Sequence, residues 1–286
     1  MENKKLKDLM VRTVSALLYG AVLLLALFWS KWSVGAMFAL IMVVSIVEFY
    51  ALCRKSGAEP MSSIGIASSL AIFGIAFTIF QQWGIPATNT TARIVLGLLL
   101  YVILMIPSAF VCELWRKSPT PIANIATTFM GVIYVALPMS LLFFVPQLLV
   151  GAWSAKVLLA YLFIIWSNDV FAYLIGVTIG KHRLCERISP KKSIEGFVGG
   201  VVGAVGVALV AGYLLQGNLY IWGGLGVVVA LTGVAGDLVE SLMKREADVK
   251  DSGKIMPGHG GMLDRFDALF ISVPFVVVYL LIVGTF

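Results

Sequence analysis

The stretch Trp32–Leu52, WSVGAMFALIMVVSIVEFYAL, lies between Lys31 and the pair Arg54-Lys55 and contains a single charged residue, Glu48. At 1.5 Å per residue, an α-helix of this length crosses the roughly 30 Å hydrocarbon core of a bilayer. Near-continuous apolarity over that distance, with cations at both ends, reads as a membrane-spanning helix.

Comparable runs occur on either side, at Thr13–Trp29, Met61–Phe80, Ile94–Val111, Ile122–Leu148, Val157–Ile179, Phe197–Leu215, Ile221–Met243 and Phe270–Val283. Composition agrees. Hydrophobic residues make up 60% of the chain and charged ones 13%, against about 25% charged in soluble domains. The expectation is an all-α integral membrane protein, a polytopic bundle of about nine transmembrane helices. Residues 1–150 hold five spans that serve as scaffold, and residues 151–286 hold four spans together with the loops that carry chemistry. The N-terminal MENKKLKDLMVR before Thr13 has the charge of a signal peptide. The following run lacks a small-residue cleavage site and leads into Lys31 and another span, so it is read as the first helix.

Nine spans assign each basic residue to a side. With the N-terminus in the cytosol, all of the 21 Lys and Arg residues except Lys31, Arg93 and Lys156 fall on the cytosolic side, as the positive-inside rule requires. Adding or removing a central span would erase that bias. The C-terminus is then expected outside, and the protein in the cell membrane with its chemistry facing the cytosol. Cys53, Cys112 and Cys185 show no paired spacing, so neither a disulfide framework nor a zinc site is expected.

Most of the 15 acidic residues and 28 glycines lie beyond residue 150. Gly196, Gly199, Gly200 and Gly203 form small-residue faces that let helix backbones approach, and a homodimer through such faces is compatible with the sequence. Ionisable side chains within spans are costly unless they pair or face water, which singles out Glu48, Asp169, Asp237 and Glu240. Glu48 is close enough to Arg54 and Lys55 to pair or snorkel. Asp169, Tyr173, Gly176 and Gly180 share one helix face and are read as a cavity wall. In KHRLCERISPKKSIEG, Ser189-Pro190 signals a turn, and Ser193 is placed to cap the next helix with Glu195 in its first turn. Lys191 and Lys192 suit either lipid headgroups or a phosphate.

Residues 236–267, GDLVESLMKREADVKDSGKIMPGHGGMLDRFD, concentrate the charge. Asp237, Glu240, Ser241 and Lys244 fall at i, i+3, i+4 and i+7 and line one helix face. Lys250, Asp251 and Lys254 follow in a glycine-containing loop. His259, Gly260 and Gly261 belong to a turn able to present N–H groups to an anion, and Asp264 and Asp267 flank Arg265. Carboxylates interleaved with cations and glycines suit phosphoryl-type chemistry, in which Mg²⁺ is held by one or two carboxylates and by substrate phosphates.

From Ser241 to Asp267 the chain resembles the signature of the phosphatidate cytidylyltransferases, the CDP-diacylglycerol synthases. Ser241, Lys244, Arg245, Lys250, Asp251, Gly253, Met256, Pro257, His259, Gly260, Gly261, Asp264, Arg265 and Asp267 fit that pattern without a gap. The Asp169–Gly180 face and the Ser189–Gly196 segment are also similar to family motifs. The resemblance implies transfer of CMP from CTP to phosphatidic acid, with Mg²⁺ and a monovalent cation such as K⁺ as cofactors. It implies no nucleic-acid partner.

On this reading Asp237, Lys244 and Asp264 are catalytic. Asp237 and Asp264 lead as metal ligands, followed by Asp251 and Asp267. Lys244, Arg245, Lys250, Lys254 and Arg265 are expected at CTP phosphates, and Lys191 and Lys192 at the lipid phosphate. Asp169, Tyr173, Ser189, Ser193, Glu195, Ser241, His259, Gly260 and Gly261 complete the expected substrate contacts. Two other readings remain open from sequence: a related CTP-dependent lipid enzyme, such as a CDP-archaeol synthase or polyprenol kinase, and an ion-coupled transporter. A transporter would be expected to carry its substrate residues near the midplane of two matching halves, whereas here the charge is one-sided.

Overall fold

The structure is a computed structural model that describes residues 2–85, 88–255 and 260–284. Among the described residues, eight helices are long and apolar enough to cross a membrane, and a shorter apolar stretch, Thr13–Trp29, lies within the first helix. The protein is a polytopic all-α chain, as its apolar runs predict.

Helix α1 (Glu2–Trp29) ends at Ser30, which opens α2 (Lys31–Lys55). Ser30 Oγ accepts from Ser33 N–H, and Ser33 Oγ accepts from Ser30 N–H. This reciprocal capping satisfies two donors that a helix start leaves without partners. Helix α3 (Ser62–Gln81) and helix α4 (Asn89–Arg116) follow, the latter capped by Thr88.

The expected span Ile122–Leu148 lies within one apolar stretch, Pro121–Val150, whose helix is interrupted internally. Pro121 starts α5 (Pro121–Gly131), a π turn occupies Val132–Ala136, and α6 (Leu137–Leu141) and α7 (Phe144–Val150) continue the chain. Pro138 has no N–H to return to the carbonyl four residues earlier. Just upstream the ladder widens, so that Leu137 N–H bonds to Val132 O, the five-residue spacing of a π turn.

Beyond α8 (Ala155–Ile179) comes an antiparallel hairpin of β1 (Arg183–Cys185) and β2 (Ser189–Ser193), then α9 (Ile194–Leu214), α10 (Leu219–Glu246) and α11 (Leu263–Gly284). Arg183 pairs with Ser193 and Cys185 with Ser189. The hairpin replaces what reads in sequence as a plain basic loop.

The chain forms two compact units. Met1–Ser140 joins Glu246–Phe266 in one, and Leu141–Arg245 joins Asp267–Phe286 in the other. Each therefore draws on both sides of residue 150.

In the first unit Phe38, Ile46, Phe49, Tyr50 and Phe80 are buried. Tyr50 threads between Gly65 and Gly131, where any side chain would strike its ring, and its hydroxyl donates to Thr128 O at 2.7 Å. Lipid offers little hydrophobic drive between helices, so such contacts matter, at about 0.6–2 kcal/mol for an interhelical hydrogen bond. The second unit packs Tyr161, Trp222, Leu225, Val229, Phe270 and Val273. There the Tyr161 and Ser272 hydroxyls bond at 2.7 Å.

Candidate active site

The second unit contains a cavity of about 500 Å³ assembled from four elements. Helix α8 contributes Asp169, Tyr173 and Gly176. The hairpin contributes Arg183, Lys191, Lys192 and Ser193, α9 contributes Gly196 and Phe197, and α10 contributes Val234 and Asp237.

Local chemistry explains how these parts meet. A Cβ on Gly196 would lie 2.7 Å from Ala172 O and 3.1 Å from Gly176 Cα, so α8 and α9 can close together only through glycine. Ser193 ends β2 and caps α9, its Oγ accepting from Gly196 N–H at 3.1 Å. Glu195, expected at substrate, secures the base of the hairpin. Its carboxylate accepts from Lys181 N–H at 3.0 Å and His182 N–H at 3.2 Å, and lies 2.6 Å from His182 Nδ1. Ser189 pairs with Cys185 at the far end of the hairpin.

Across the cavity, Lys192 forms an ion pair with Asp237 Oδ2, and Ser241 Oγ donates to Asp237 Oδ1 at 3.3 Å. Asp237 also belongs to a trio of carboxylates. Oxygens of Asp237, Glu240 and Asp267 all lie within 4.8 Å of one another. Gly236 makes this possible, because a Cβ there would stand 2.9 Å from Ala268 Cα, and α10 would be held away from the segment that carries Asp267. Glu240 is only 1% exposed, and its Oε2 accepts from Lys244 Nζ at 2.5 Å.

Three carboxylates against two ammonium groups leave the cluster net acidic. An all-oxygen donor set of this kind fits a hard divalent cation such as Mg²⁺. Glu240 stands out in the sequence as an ionisable residue within a span, but nothing there separates its role from that of a simple partner for Lys244. Its i+3 spacing from Asp237 is the signal that points to the trio.

Asp264, the other leading metal candidate, belongs to the first unit, where its Oδ2 accepts three hydrogen bonds. The donors are Gly261 N–H at 2.7 Å, Ser252 Oγ at 2.9 Å and Ser252 N–H at 3.0 Å. Gly260 adopts φ +86°, and a Cβ on it would meet the same carboxylate. The turn expected to offer its N–H groups to an anion thus presents that of Gly261 to a carboxylate of the chain. Arg245, Lys250, Asp251, Lys254 and Arg265 are exposed. His259 lies outside the described residues.

Comparison with known sequences meets this geometry from the other side. The pattern of the cytidylyltransferase family matches residues 10–283, nearly the whole chain. The chain belongs to the cytidylyltransferase family. Among curated members, the phosphatidate cytidylyltransferase of Staphylococcus aureus strain COL is 47% identical over 127 residues, covering 44% of this chain and 48% of that protein. Those of Staphylococcus haemolyticus strain JCSC1435 and Staphylococcus saprophyticus are 46% and 44% identical over the same length and the same shares. The chain spans about half the length of these curated relatives. Within the cytidylyltransferase family, then, this chain combines a basic, partly apolar cavity with an adjoining carboxylate trio.

Proposed function

We propose that the protein transfers CMP from CTP to phosphatidic acid, yielding CDP-diacylglycerol and pyrophosphate. The observation that carries this reading is the cavity lined together by Lys191, Lys192, Arg183, Asp169 and Asp237, the last of which also belongs to the carboxylate trio. Cations suited to a phosphate and oxygen ligands suited to a divalent metal there meet at one cavity. Membership of the cytidylyltransferase family and the names of the relatives support the same choice.

The chemistry makes modest demands on the side chains. A phosphate monoester has its second pKa near 6, so at neutral pH phosphatidic acid already presents a largely dianionic oxygen and needs no strong base. That oxygen attacks the α-phosphorus of CTP, a new P–O bond forms, and the bond to the β-phosphate oxygen breaks with its electron pair leaving on pyrophosphate. The barrier is repulsion between anions, so positioning and counter-charge carry the catalysis. Lys191 and Lys192 hold the lipid phosphate. Lys244, fixed by Glu240, supplies a cation beside the trio. Asp237, Glu240 and Asp267 would hold Mg²⁺, which when bound would neutralise the charge that shifts to the leaving pyrophosphate.

The positive-inside count supports an orientation with the N-terminus and this cavity toward the cytosol, where CTP is available, and a location in the cell membrane. The acyl chains of the substrate then remain in the bilayer. Purified protein given labelled CTP, phosphatidic acid and Mg²⁺ tests the reading. Label appearing in a lipid product supports it, and CTP turnover only with a different lipid acceptor favours a related enzyme instead.

A further inference from the structure

Glu48 is a carboxylate buried within a span, 5% exposed, and the reaction proposed above gives it no task. The sequence offers Arg54 and Lys55 as partners, but the Arg54 guanidinium donates to Ser62 Oγ. Glu48 points instead at the signature loop. Its Oε2 accepts from Leu263 N–H at 2.7 Å, in the first turn of α11, and lies 3.4 Å from Ser252 Oγ.

The Ser252 hydroxyl has one hydrogen, and at 2.9 Å the nearer acceptor is Asp264 Oδ2. Glu48 and Asp264 therefore flank one serine, and both bind backbone N–H groups of the same short segment. The loop is shaped to admit this carboxylate. A Cβ on Gly253 would strike Glu48 Oε1, and one on Gly261 would strike Glu48 Oε2 and Ser252 Oγ. Two glycines of the signature thus have a physical reason that lies more than two hundred positions earlier in the chain.

We propose that Glu48 is a positioning residue that holds Ser252, Gly261 and the start of α11 in register, and so fixes Asp264 and the loop that carries Lys250 and Lys254, the cations expected from sequence at the CTP phosphates. The functional half of this inference rests on the CMP-transfer reading, and the structural half does not.

The test compares full-length wild type with Glu48→Gln and Glu48→Ala in lipid nanodiscs, by hydrogen exchange and by steady-state kinetics. Glutamine keeps an oxygen that accepts from Leu263 N–H, whereas alanine removes it. In Glu48→Ala we expect exchange over 250–255 and 260–264 to quicken about tenfold or more and the KM for CTP to rise about tenfold, the scale of one lost hydrogen bond to a charged group. The KM for phosphatidic acid should stay within about twofold, and Glu48→Gln should restore both readouts. A purely structural role would lower the amount of active protein and leave both KM values unchanged. Unchanged exchange in Glu48→Ala, or Glu48→Gln as impaired as alanine, would overturn the proposal. If Glu48→Ala cannot be purified, Ser252→Ala decides in its place, with the same loosening expected and its absence contradictory. If the wild type transfers no CMP, the functional reading fails while the exchange comparison still decides the role of Glu48.

Discussion

Lys192, the fourth residue of strand β2, forms an ion pair with Asp237 of helix α10, both lining the cavity. A hairpin that reads in sequence as a basic loop thereby delivers a cation to a carboxylate within a span. Removing the carboxylate charge by Asp237→Asn should abolish most turnover, by about a hundredfold or more, the scale on which a single electrostatic contact at a reacting centre acts. The protein should still insert and purify as a single species. Near-normal turnover of this variant would remove Asp237 from the site.

The same pair predicts a separable effect from its other partner. Lys192→Ala should weaken the grip on the lipid phosphate, raising the KM for phosphatidic acid about tenfold, as expected for a charge-assisted hydrogen bond of about 1.5–3 kcal/mol. The KM for CTP should change much less. Titrating phosphatidic acid in mixed micelles at saturating CTP measures the difference.

The carboxylate trio predicts a dependence on metal concentration. Glu240→Gln and Asp267→Asn should each raise the Mg²⁺ concentration needed for half-maximal activity, by about tenfold to a hundredfold if they act as ligands or orient one. Excess Mg²⁺ should then restore part of the rate. A variant whose metal curve overlays that of the wild type would place its residue outside the metal site.

Gly236 links packing to the trio. Any Cβ there meets the backbone at Asp267 and Ala268, so Gly236→Ala should destabilise the protein by about 1–3 kcal/mol through overpacking and reduce activity as Asp237 and Asp267 separate. A thermal-shift assay in detergent, read beside turnover, checks both effects. Tyr50→Phe is the contrasting case. It deletes the bond to Thr128 O in the first unit and should cost about 1 kcal/mol of stability with CTP and lipid KM values unchanged.

The spans were legible because lipid imposes one rule on every residue of a helix, and runs such as Trp32–Leu52 obey it at every position but Glu48. The break at Val132–Ala136 was harder to see, since Pro138 only permits a π turn, and its surroundings decide whether one forms. The hairpin has no sequence signature, because Ser189–Ser193, SPKKS, has neither alternation nor β-branched residues. It exists because Ser193 and Glu195 anchor its end to α9. At the candidate site, Asp237 stood out as a carboxylate within a span three residues before Glu240, whereas Lys192 read only as one cation of a basic loop. The partnership of Glu48 with Ser252 and Leu263 did not stand out, because no periodicity connects positions so far apart in the chain.

The most direct test is the transfer reaction itself. Wild-type protein in nanodiscs, supplied with CTP labelled at the α-phosphate, phosphatidic acid and Mg²⁺, should convert label into a lipid-extractable product while releasing one pyrophosphate per label transferred, and Asp237→Asn should not. Label that stays water-soluble under conditions in which the wild type is folded and supplied with metal would contradict the account.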